Sequence, residues 1–255
     1  MEYVILATEG AHDQAILCSF LRFMGFRSVN ASLKDLDPFW QDLMPRFPKD
    51  MSYHGYKNLL YPYIFVSEDI SAAVYQGKGQ SLAQNILDIT QNYPRYRQDI
   101  AAFGIVVDAD DKQPLDIGKQ YAEKLVSSFP SFPVISGNVM PGSPRTGLYI
   151  WPDSRSVGTL ETLLIECASL IYPDHKRGAE TFIDGLEARH KEHWRTSDAN
   201  KALVASIVSI LQPGQANHAS FARLDDRWVS KQTIESIVGM NKFWTFIHDL
   251  LGLTL

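Results

Sequence analysis

The segment Tyr3-Val-Ile-Leu-Ala-Thr8 is an apolar run that is followed at once by the acid Glu9 and by Gly10. The same order recurs twice, in Phe103-Gly-Ile-Val-Val-Asp108-Ala-Asp110 and in Gly147-Leu-Tyr-Ile-Trp-Pro-Asp153. Short runs rich in β-branched and aromatic residues, each followed by a helical pattern, are typical of buried parallel strands. Ligand sites in open α/β sheets form beyond the carboxyl ends of such strands. Three strands that end in acids therefore predict a site for a hard divalent cation, Mg²⁺ or Mn²⁺.

The composition is that of a soluble globular protein. The chain has 255 residues, of which 45% are hydrophobic and 21% are charged, and these values argue against intrinsic disorder. The formal net charge of −5 gives no general attraction to nucleic acid, so such binding would need a local basic patch or metal ions. No apolar run approaches the ~20 residues of a membrane span, and the start lacks the basic region of a signal peptide. We expect a cytoplasmic protein with no membrane partner, in which Cys18 and Cys167 are reduced core residues.

The order of patterns predicts an α/β fold with a mostly parallel sheet flanked by helices. A β-hairpin is expected where Tyr63–Val66 and Ala72–Tyr75 flank a polar turn, within an irregular aromatic insertion at about residues 32–80. From Pro173 onward only helical patterns remain, at about residues 179–194, 199–211, 230–237 and 241–250. We therefore predict an α/β core over residues 1–172 and a helical C-terminal extension, residues 173–255, packed on that core.

Glu9 and Asp13 are the first candidate ligands. Glu9 lies at the mouth of a buried strand, where an acid gains nothing from packing, and Gly10 allows the backbone to turn sharply after it. Asp13 falls in the first turn of the next helix. An acid there also stabilises the helix N-terminus by ~0.3–1 kcal/mol, and this simpler role is slightly favoured for Asp13.

Asp108 and Asp110 form the second candidate set. In an extended segment residues i and i+2 face the same side, so these two carboxylates could share one metal ion. The alternative is an ordinary Asp-rich turn, since Asp is common in turns. The position after a buried strand keeps both interpretations open.

Asp153 and Glu161 form the third set, because one follows a strand and the other begins a helix with Thr159 as its cap. Each also has a simpler role, Asp153 as a turn residue and Glu161 as a partner of the helix dipole.

Lys78 lies between two glycines before a helix, a setting that presents a cation and backbone N–H groups to a phosphate. The longer glycine-rich cradle of a P-loop is missing. Tyr93-Pro-Arg-Tyr-Arg97 suits stacking on bases, although structural ion pairing is the more common use of such residues.

Two of these motifs together resemble a known fold. Glu9-Gly10-x-x-Asp13 after one strand and Asp108-x-Asp110 after another resemble the acidic motifs of the Toprim fold. That catalytic domain is shared by topoisomerases, bacterial primases and the overcoming-lysogenization-defect nucleases. Trp151-Pro-Asp-Ser-Arg-Ser-Val-Gly-Thr-Leu-Glu-Thr-Leu-Leu164 is similar to the Pro-Asp…Gly-Thr-Leu-Glu element of an uncharacterised, Toprim-related bacterial family, and Gln76-Gly-Lys-Gly79 to another of its elements. The similarity spans roughly residues 3–170 and extends to helical C-terminal residues such as Lys201.

The resemblance implies a Rossmann-like fold and phosphodiester chemistry. Glu9, Asp108 and Asp110 match the family's acidic motif, and Asp153 and Glu161 become candidate ligands of a second metal ion. We expect a metal-dependent phosphodiesterase, a nuclease acting on DNA or RNA, in which Glu9, Asp108 and Asp110 hold Mg²⁺ or Mn²⁺ and Lys78 neutralises the scissile phosphate. The alternative is a non-catalytic Toprim-like module that binds nucleic acid, a nucleotide or a protein. A third interpretation makes the chain a homo-oligomer or a subunit of a larger assembly.

Overall fold

A computed structural model describes residues 1–29, 36–44, 62–77, 79–195, 197–223 and 227–254. Its strands form one seven-stranded sheet. The strands are β1 Glu2–Thr8, β2 Arg27–Ser28, β3 Tyr63–Val66, β4 Ile70–Gln76, β5 Ala102–Asp108, β6 Val139–Met140 and β7 Arg145–Trp151.

Ten α-helices accompany the sheet in the part of the chain that the structure describes. They are α1 Ala11–Phe23, α2 Leu82–Asn92, α3 Arg95–Gln98, α4 Pro114–Leu125, α5 Leu160–Ile171, α6 Pro173–Asp184, α7 Asp198–Leu211, α8 Asn217–Phe221, α9 Lys231–Ser236 and α10 Val238–Leu251. Short 3₁₀ helices lie at Pro38–Leu43, Gly79–Ser81 and Ala188–His190.

The strand order is β2-β3-β4-β1-β5-β7-β6, with the four central strands β4, β1, β5 and β7 parallel. The outer strands β2, β3 and β6 pair antiparallel with their neighbours. This confirms the predicted α/β fold and its mostly parallel sheet. The predicted hairpin is β3 and β4, and it is built into the main sheet, because β4 also pairs in parallel with β1 from Ile70 opposite Glu2 to Gln76 opposite Thr8.

Part of the predicted aromatic insertion packs onto the sheet. Trp40, in the first of the 3₁₀ helices, is fully buried, and its Nε1 donates a hydrogen bond of 2.8 Å to Oγ of Ser71 on β4. The ring of Phe39 stacks on that of Tyr3 at 3.8 Å between centroids. These groups gain from burial, as the aromatic composition predicts. Residues 32–35, 45–61 and 78 of the predicted insertion lie outside the described residues.

Both faces of the sheet are buried, which explains the continuous apolar runs of its strands. Along β1, Val4 and Leu6 point into one hydrophobic core, to which α1, α5, α7 and α10 contribute. Ile5 and Ala7 point into a second core on the opposite face, to which α2 and α4 contribute. Side chains that alternate between two apolar layers leave no polar face, so the charged residues of the four central strands stand only at their first or last positions.

The C-terminal region is helical, as predicted, and its last helix belongs to the first core. Phe246 and Leu250 of α10 lie directly over two strand glycines. A Cβ atom at Gly147 would stand 2.8 Å from Cε2 of Phe246, and one at Gly104 would stand 2.4 Å from Cδ2 of Leu250. Glycine on β5 and β7 therefore permits the close approach of α10 to the sheet.

One predicted helix has different bounds. The pattern at residues 179–194 divides into α6, which ends at Asp184, and the separate 3₁₀ helix Ala188–His190. Pro173 starts α6 at the position where a missing N–H costs nothing, and Gly185 follows its last residue. Cys18 and Cys167 are both free and buried, as expected. No helix among the described residues is long and apolar enough to cross a bilayer.

Candidate metal centre

The carboxyl ends of β1 and β5 bring predicted acids to one edge of the sheet. These strands are neighbours, and the strand order reverses beside β1, since the chain passes first to β4 on one side and later to β5 on the other. Such a reversal leaves a crevice between the loops at the strand ends. Glu9 follows β1 directly, and Asp108 is the last residue of β5.

Five of the six predicted metal ligands interact electrostatically, and we call them the acidic cluster: Glu9, Asp13, Asp108, Asp110 and Glu161. Burial raises the pKa of Asp13 well above its usual value, and the charges of Asp108, Glu161 and Glu9 raise it further. Burial also raises the pKa of Asp108 to about 7, with added repulsion from Glu161, Asp110 and Glu9. Like charges at a buried edge disfavour ionisation, whereas a bound cation would favour it.

Asp13 is 5% exposed, and only one of its carboxylate oxygens is satisfied. Oδ2 accepts a hydrogen bond of 3.0 Å from the backbone N–H of Gly10. This bond serves the start of α1, so the helix-stabilising role favoured from the sequence is present. Oδ1 is buried and has no hydrogen-bond partner among the described residues. A buried carboxylate oxygen without a partner is costly, and a hard cation would satisfy it.

Glu161, the second residue of α5, repeats this arrangement at 4% exposure. Its Oε1 lies 3.1 Å from Nδ1 of His12, while Oε2 is buried without a hydrogen-bond partner among the described residues. Burial alone would raise the pKa of Glu161, but the hydrogen bond from His12 helps to hold it below its usual value. Glu161 therefore favours the charged form that a cation requires.

His12 was not predicted as part of the site. Its side chain is 35% exposed, and its ring meets that of Phe221 edge-on at 5.2 Å between centroids. The only signal in the sequence is its position directly before Asp13 on a helix that starts at the sheet edge. The partner on α5 is 149 positions away in the chain.

Asp108 joins the end of β5 to the start of α5. Its Oδ1 accepts a hydrogen bond of 2.7 Å from the backbone N–H of Leu160, the first residue of that helix. A carboxylate at a helix N-terminus interacts favourably with the helix dipole. This bond lowers the pKa of Asp108 in part, but burial and the neighbouring acids outweigh it.

Asp110 does not continue the extended strand. Its φ angle is +52°, in the left-handed region, and its side chain is exposed. Its N–H donates to the carbonyl of Gly158 at 2.7 Å, and the N–H of Gly158 donates back at 2.8 Å. The argument that Asp108 and Asp110 face one side of an extended segment is therefore wrong in its geometry. The charge of Asp110 nevertheless contributes to the raised pKa values of both Asp108 and Glu9.

Glu9 is held by α4. Oε1 of Glu9 accepts a hydrogen bond of 2.9 Å from the hydroxyl of Tyr121. Burial raises the pKa of Glu9, and the Tyr121 hydrogen bond opposes this shift. Tyr121 was missed by sequence reasoning, because nothing local to it marks a tyrosine on one helix as the partner of an acid 112 positions earlier.

Asp153 lies apart from the acidic cluster. Its Oδ2 accepts a hydrogen bond of 3.0 Å from Nζ of Lys242 on α10, and its Oδ1 accepts from the backbone N–H groups of Arg155 and Ser156. Burial would raise the pKa of Asp153, but the bonds from Ser156 and Lys242 hold it below its usual value. The turn role, which the sequence left open, is the one observed.

The structure describes only part of the predicted basic set, because Lys78 lies outside the described residues. Arg95 forms an ion pair with Asp42 and lies over the rings of Phe39 and Tyr96. The more common structural use of Arg95 is therefore the one present.

The acidic cluster is not preorganised as a metal site. In the described ranges, no group of three or more His, Cys, Asp and Glu side chains is arranged so that it could hold a metal ion as it stands. The two unpartnered oxygens of Asp13 and Glu161 nevertheless fit a cation. Side chains at the rim, such as exposed Asp110, would have to move toward them to complete a shell of the 6 or so oxygen ligands that Mg²⁺ takes.

A cleft of about 660 Å³ opens beside the cluster. One wall consists of the loops that follow β5 and β7, with Asp110, Asp111 and Gly158. The other wall is the start of α7 and the residues just before it, with Lys201 and Arg195. The cleft thus sets acids on one side against cations on the other.

Comparison with known proteins places the chain in a family. The sequence model of DUF3226, described as a protein of unknown function, matches residues 3–250. The chain belongs to this family. A crystal structure of a hypothetical protein, PH0156, from Pyrococcus horikoshii OT3 resembles this DUF3226 chain with a TM-score of 0.49 and 12% sequence identity, over 98% of this chain and 96% of that one. No curated protein matches the DUF3226 chain.

Proposed function

We propose that this DUF3226 protein is a metal-dependent phosphodiesterase, with nucleic acid as its substrate. The observation that carries the proposal is the pair of buried, unpartnered carboxylate oxygens, Oδ1 of Asp13 and Oε2 of Glu161, within the acidic cluster. The resemblance of Glu9 and Asp108-x-Asp110 to the Toprim motifs supports the same chemistry.

In the proposed site Glu9, Asp108 and Asp110 hold the ion together with Asp13 and Glu161. When bound, Mg²⁺ or Mn²⁺ supplies Lewis-acid stabilisation of phosphoryl oxygens and lowers the pKa of a bound water. Tyr121 fixes Glu9 through its 2.9 Å hydrogen bond, and the backbone N–H of Leu160 fixes Asp108. His12 keeps Glu161 charged by donating to it. Asp153 has no part in the proposed site, because its oxygens are engaged by Lys242 and by backbone N–H groups.

The experiment measures ion binding and cleavage with the same variants. Thermal unfolding with and without Mg²⁺ or Mn²⁺ should show stabilisation of the wild type, because a ligand that binds only the native state raises its stability. Cleavage of labelled single-stranded and duplex DNA and RNA should require the ion. Glu9→Gln and Asp108→Asn should lose both effects, whereas the matched control Asp153→Asn should keep both. Cleavage that survives in Glu9→Gln and Asp108→Asn would remove the proposed site.

A second candidate function is a binding module without catalysis. It is favoured by the absence of a preformed three-ligand metal group among the described residues. In that case the divalent ions would leave thermal unfolding unchanged, and oligonucleotides or a protein partner would still bind.

A further inference from the structure

We infer that the cleft beside the acidic cluster binds a short segment of one nucleic-acid strand through one or two phosphates, without recognising the bases. This inference takes its substrate class from the proposed function and adds how the substrate is held. It rests on the charge, the polarity and the size of the cleft.

The cations of the cleft come from the segment at the start of α7, whereas the acids come from the loop that follows β5. Lys201 is exposed and forms no ion pair in the described parts of the chain, although its positive charge helps to lower the pKa of Asp198. Arg195 is also exposed, and its Nε stands 3.6 Å from Oδ2 of Asp198, which also accepts the backbone N–H of Arg195 at 2.7 Å. Lys201 is therefore the stronger candidate for a phosphate partner, and Arg195 would have to exchange a solvated ion pair of little net value.

Apart from the acids and Val157, the remaining lining is polar and uncharged. Thr162 Oγ1 accepts from Nδ2 of Asn200 at 3.4 Å and from the backbone N–H of Thr159 at 3.2 Å. Ser197 and Gly158 are the other polar or backbone groups of this lining. Hydroxyl, amide and backbone groups of this kind bind phosphate and sugar oxygens, and they carry no base sequence information.

The lining lacks the groups that stack on bases. None of the described residues that line the cleft is aromatic, and Val157 is the only large apolar side chain among them. Proteins that hold single strands through their bases use aromatic platforms. The bases of a bound strand would therefore point away from this cleft or make no specific contact with it.

The size and charge of the cleft limit how much of a strand it can engage. Its volume of about 660 Å³ falls within the range of about 300–1,000 Å³ that is typical of small-ligand sites. Two cations in a chain of net charge −5 cannot neutralise the many phosphates that a long duplex interface requires. A short contact, with a weak dependence on salt, is what these features support.

The test is fluorescence anisotropy with labelled DNA and RNA single strands of about 4 and about 16 nucleotides, and with the duplex of the longer strand. We expect the two single strands to bind with similar affinity and the duplex to bind more weakly. The slope of log K against log salt should be no steeper than about −1.4, which is the value for two phosphates of a single strand. Changing the base sequence should leave the affinity unchanged.

Lys201→Met should weaken binding several-fold and reduce that slope by about 0.7. Arg195→Met should have a smaller effect of the same kind. The matched control is Lys231→Met, which removes an exposed lysine paired with Glu235 on α9. Affinity that rises steeply with strand length, preference for the duplex, or unchanged binding in Lys201→Met would each overturn the inference.

The same variants separate this inference from the proposed function. If cleavage depends on Glu9 but neither affinity nor KM depends on Lys201, the cleft inference fails and the phosphodiesterase remains. If no cleavage occurs but short strands bind through Lys201, the phosphodiesterase fails and the cleft inference remains.

Discussion

The hydroxyl of Tyr121 donates a 2.9 Å hydrogen bond to Oε1 of Glu9, and it thereby couples α4 to the end of β1. This bond stabilises the charged form of a carboxylate whose pKa burial raises. Tyr121 is a positioning residue in the proposed site, since it acts on the ion through Glu9.

Tyr121→Phe should therefore move the pH dependence of ion binding. Without the hydroxyl the pKa of Glu9 rises further, so Mg²⁺ or Mn²⁺ binding should begin at a higher pH than in the wild type. The measurement is ion-induced stabilisation followed across pH. The control is Tyr149→Phe, because the buried hydroxyl of Tyr149 donates to the carbonyl of Gly239 and makes no hydrogen bond to the acidic cluster. Identical pH profiles for wild type and Tyr121→Phe would contradict the positioning role.

Asp108→Asn should stabilise the protein when no divalent ion is present. The pKa of Asp108 is raised from 3.8 to about 7 in the folded protein, so folding favours its protonated form. The stability that protonation of Asp108 contributes to the folded protein is fully present below pH 3.8 and is lost as the pH rises through about 7. The neutral Asn variant escapes this loss, and its Oδ1 can still accept the N–H of Leu160. Its Tm should exceed that of the wild type at about pH 8, and the difference should shrink toward pH 4.

Asp153→Asn gives the opposite sign and serves as the control. The pKa of Asp153 is held below 3.8, so its contribution to stability is present above that pH and is lost as the pH falls through the lowered value. This variant should be less stable than the wild type at about pH 8 and should approach it in acid. A lower Tm for Asp108→Asn than for the wild type at about pH 8 would show that burial and the neighbouring acids do not destabilise the charged form of Asp108.

His12→Phe isolates the hydrogen bond to Glu161, because a phenyl ring can keep the edge contact with Phe221. The loss of this donor leaves Oε1 of the buried, charged Glu161 without its hydrogen bond, at a cost of about 1–3 kcal/mol. The pKa of Glu161 is lowered in the folded protein, so the cost should be largest well above pH 4.5 and should decline as the pH falls through the lowered value. Urea unfolding across pH measures it. His12→Gln retains a donor, and a failure of this variant to recover stability would argue against the hydrogen bond.

Gly118→Ala and Gly178→Ala form a matched pair within two helices. A Cβ at Gly118 of α4 would stand 1.9 Å from the backbone oxygen of Val134, whereas nothing lies within 4 Å of a Cβ at Gly178 of α6. The first variant should lower the free energy of unfolding by about 1–3 kcal/mol because the backbone must move. The second should raise it by up to about 1 kcal/mol through helix propensity alone. Urea denaturation distinguishes the two variants. Equal stability would show that Gly118 and the backbone of Val134 do not approach each other this closely.

The central strands and the hairpin could be predicted from the sequence because their apolar runs are local signals. The sequence could not predict which helix contacts which acid. Tyr121 and His12 contact Glu9 and Glu161 through tertiary packing, over separations of 112 and 149 positions. Local spacing failed at Asp110 as well, because the paired hydrogen bonds with Gly158 hold it in a left-handed conformation. Asp153 follows a strand as Glu9 does, but a lysine supplied by α10 gives it a structural role.

The packing of α10 also bears on how fast the acidic edge can form. Phe246 and Leu250 cover Gly147 and Gly104, so strands that are synthesised early obtain their cover from residues that follow much later in the chain. Contacts between such distant residues slow folding, because the closure entropy is lost before the contacts stabilise the chain. While residues beyond 237 are still missing from a nascent chain, the β5 and β7 surface that α10 will cover presents apolar side chains to the surroundings. That exposed apolar surface makes the growing chain prone to aggregation until the helix has emerged.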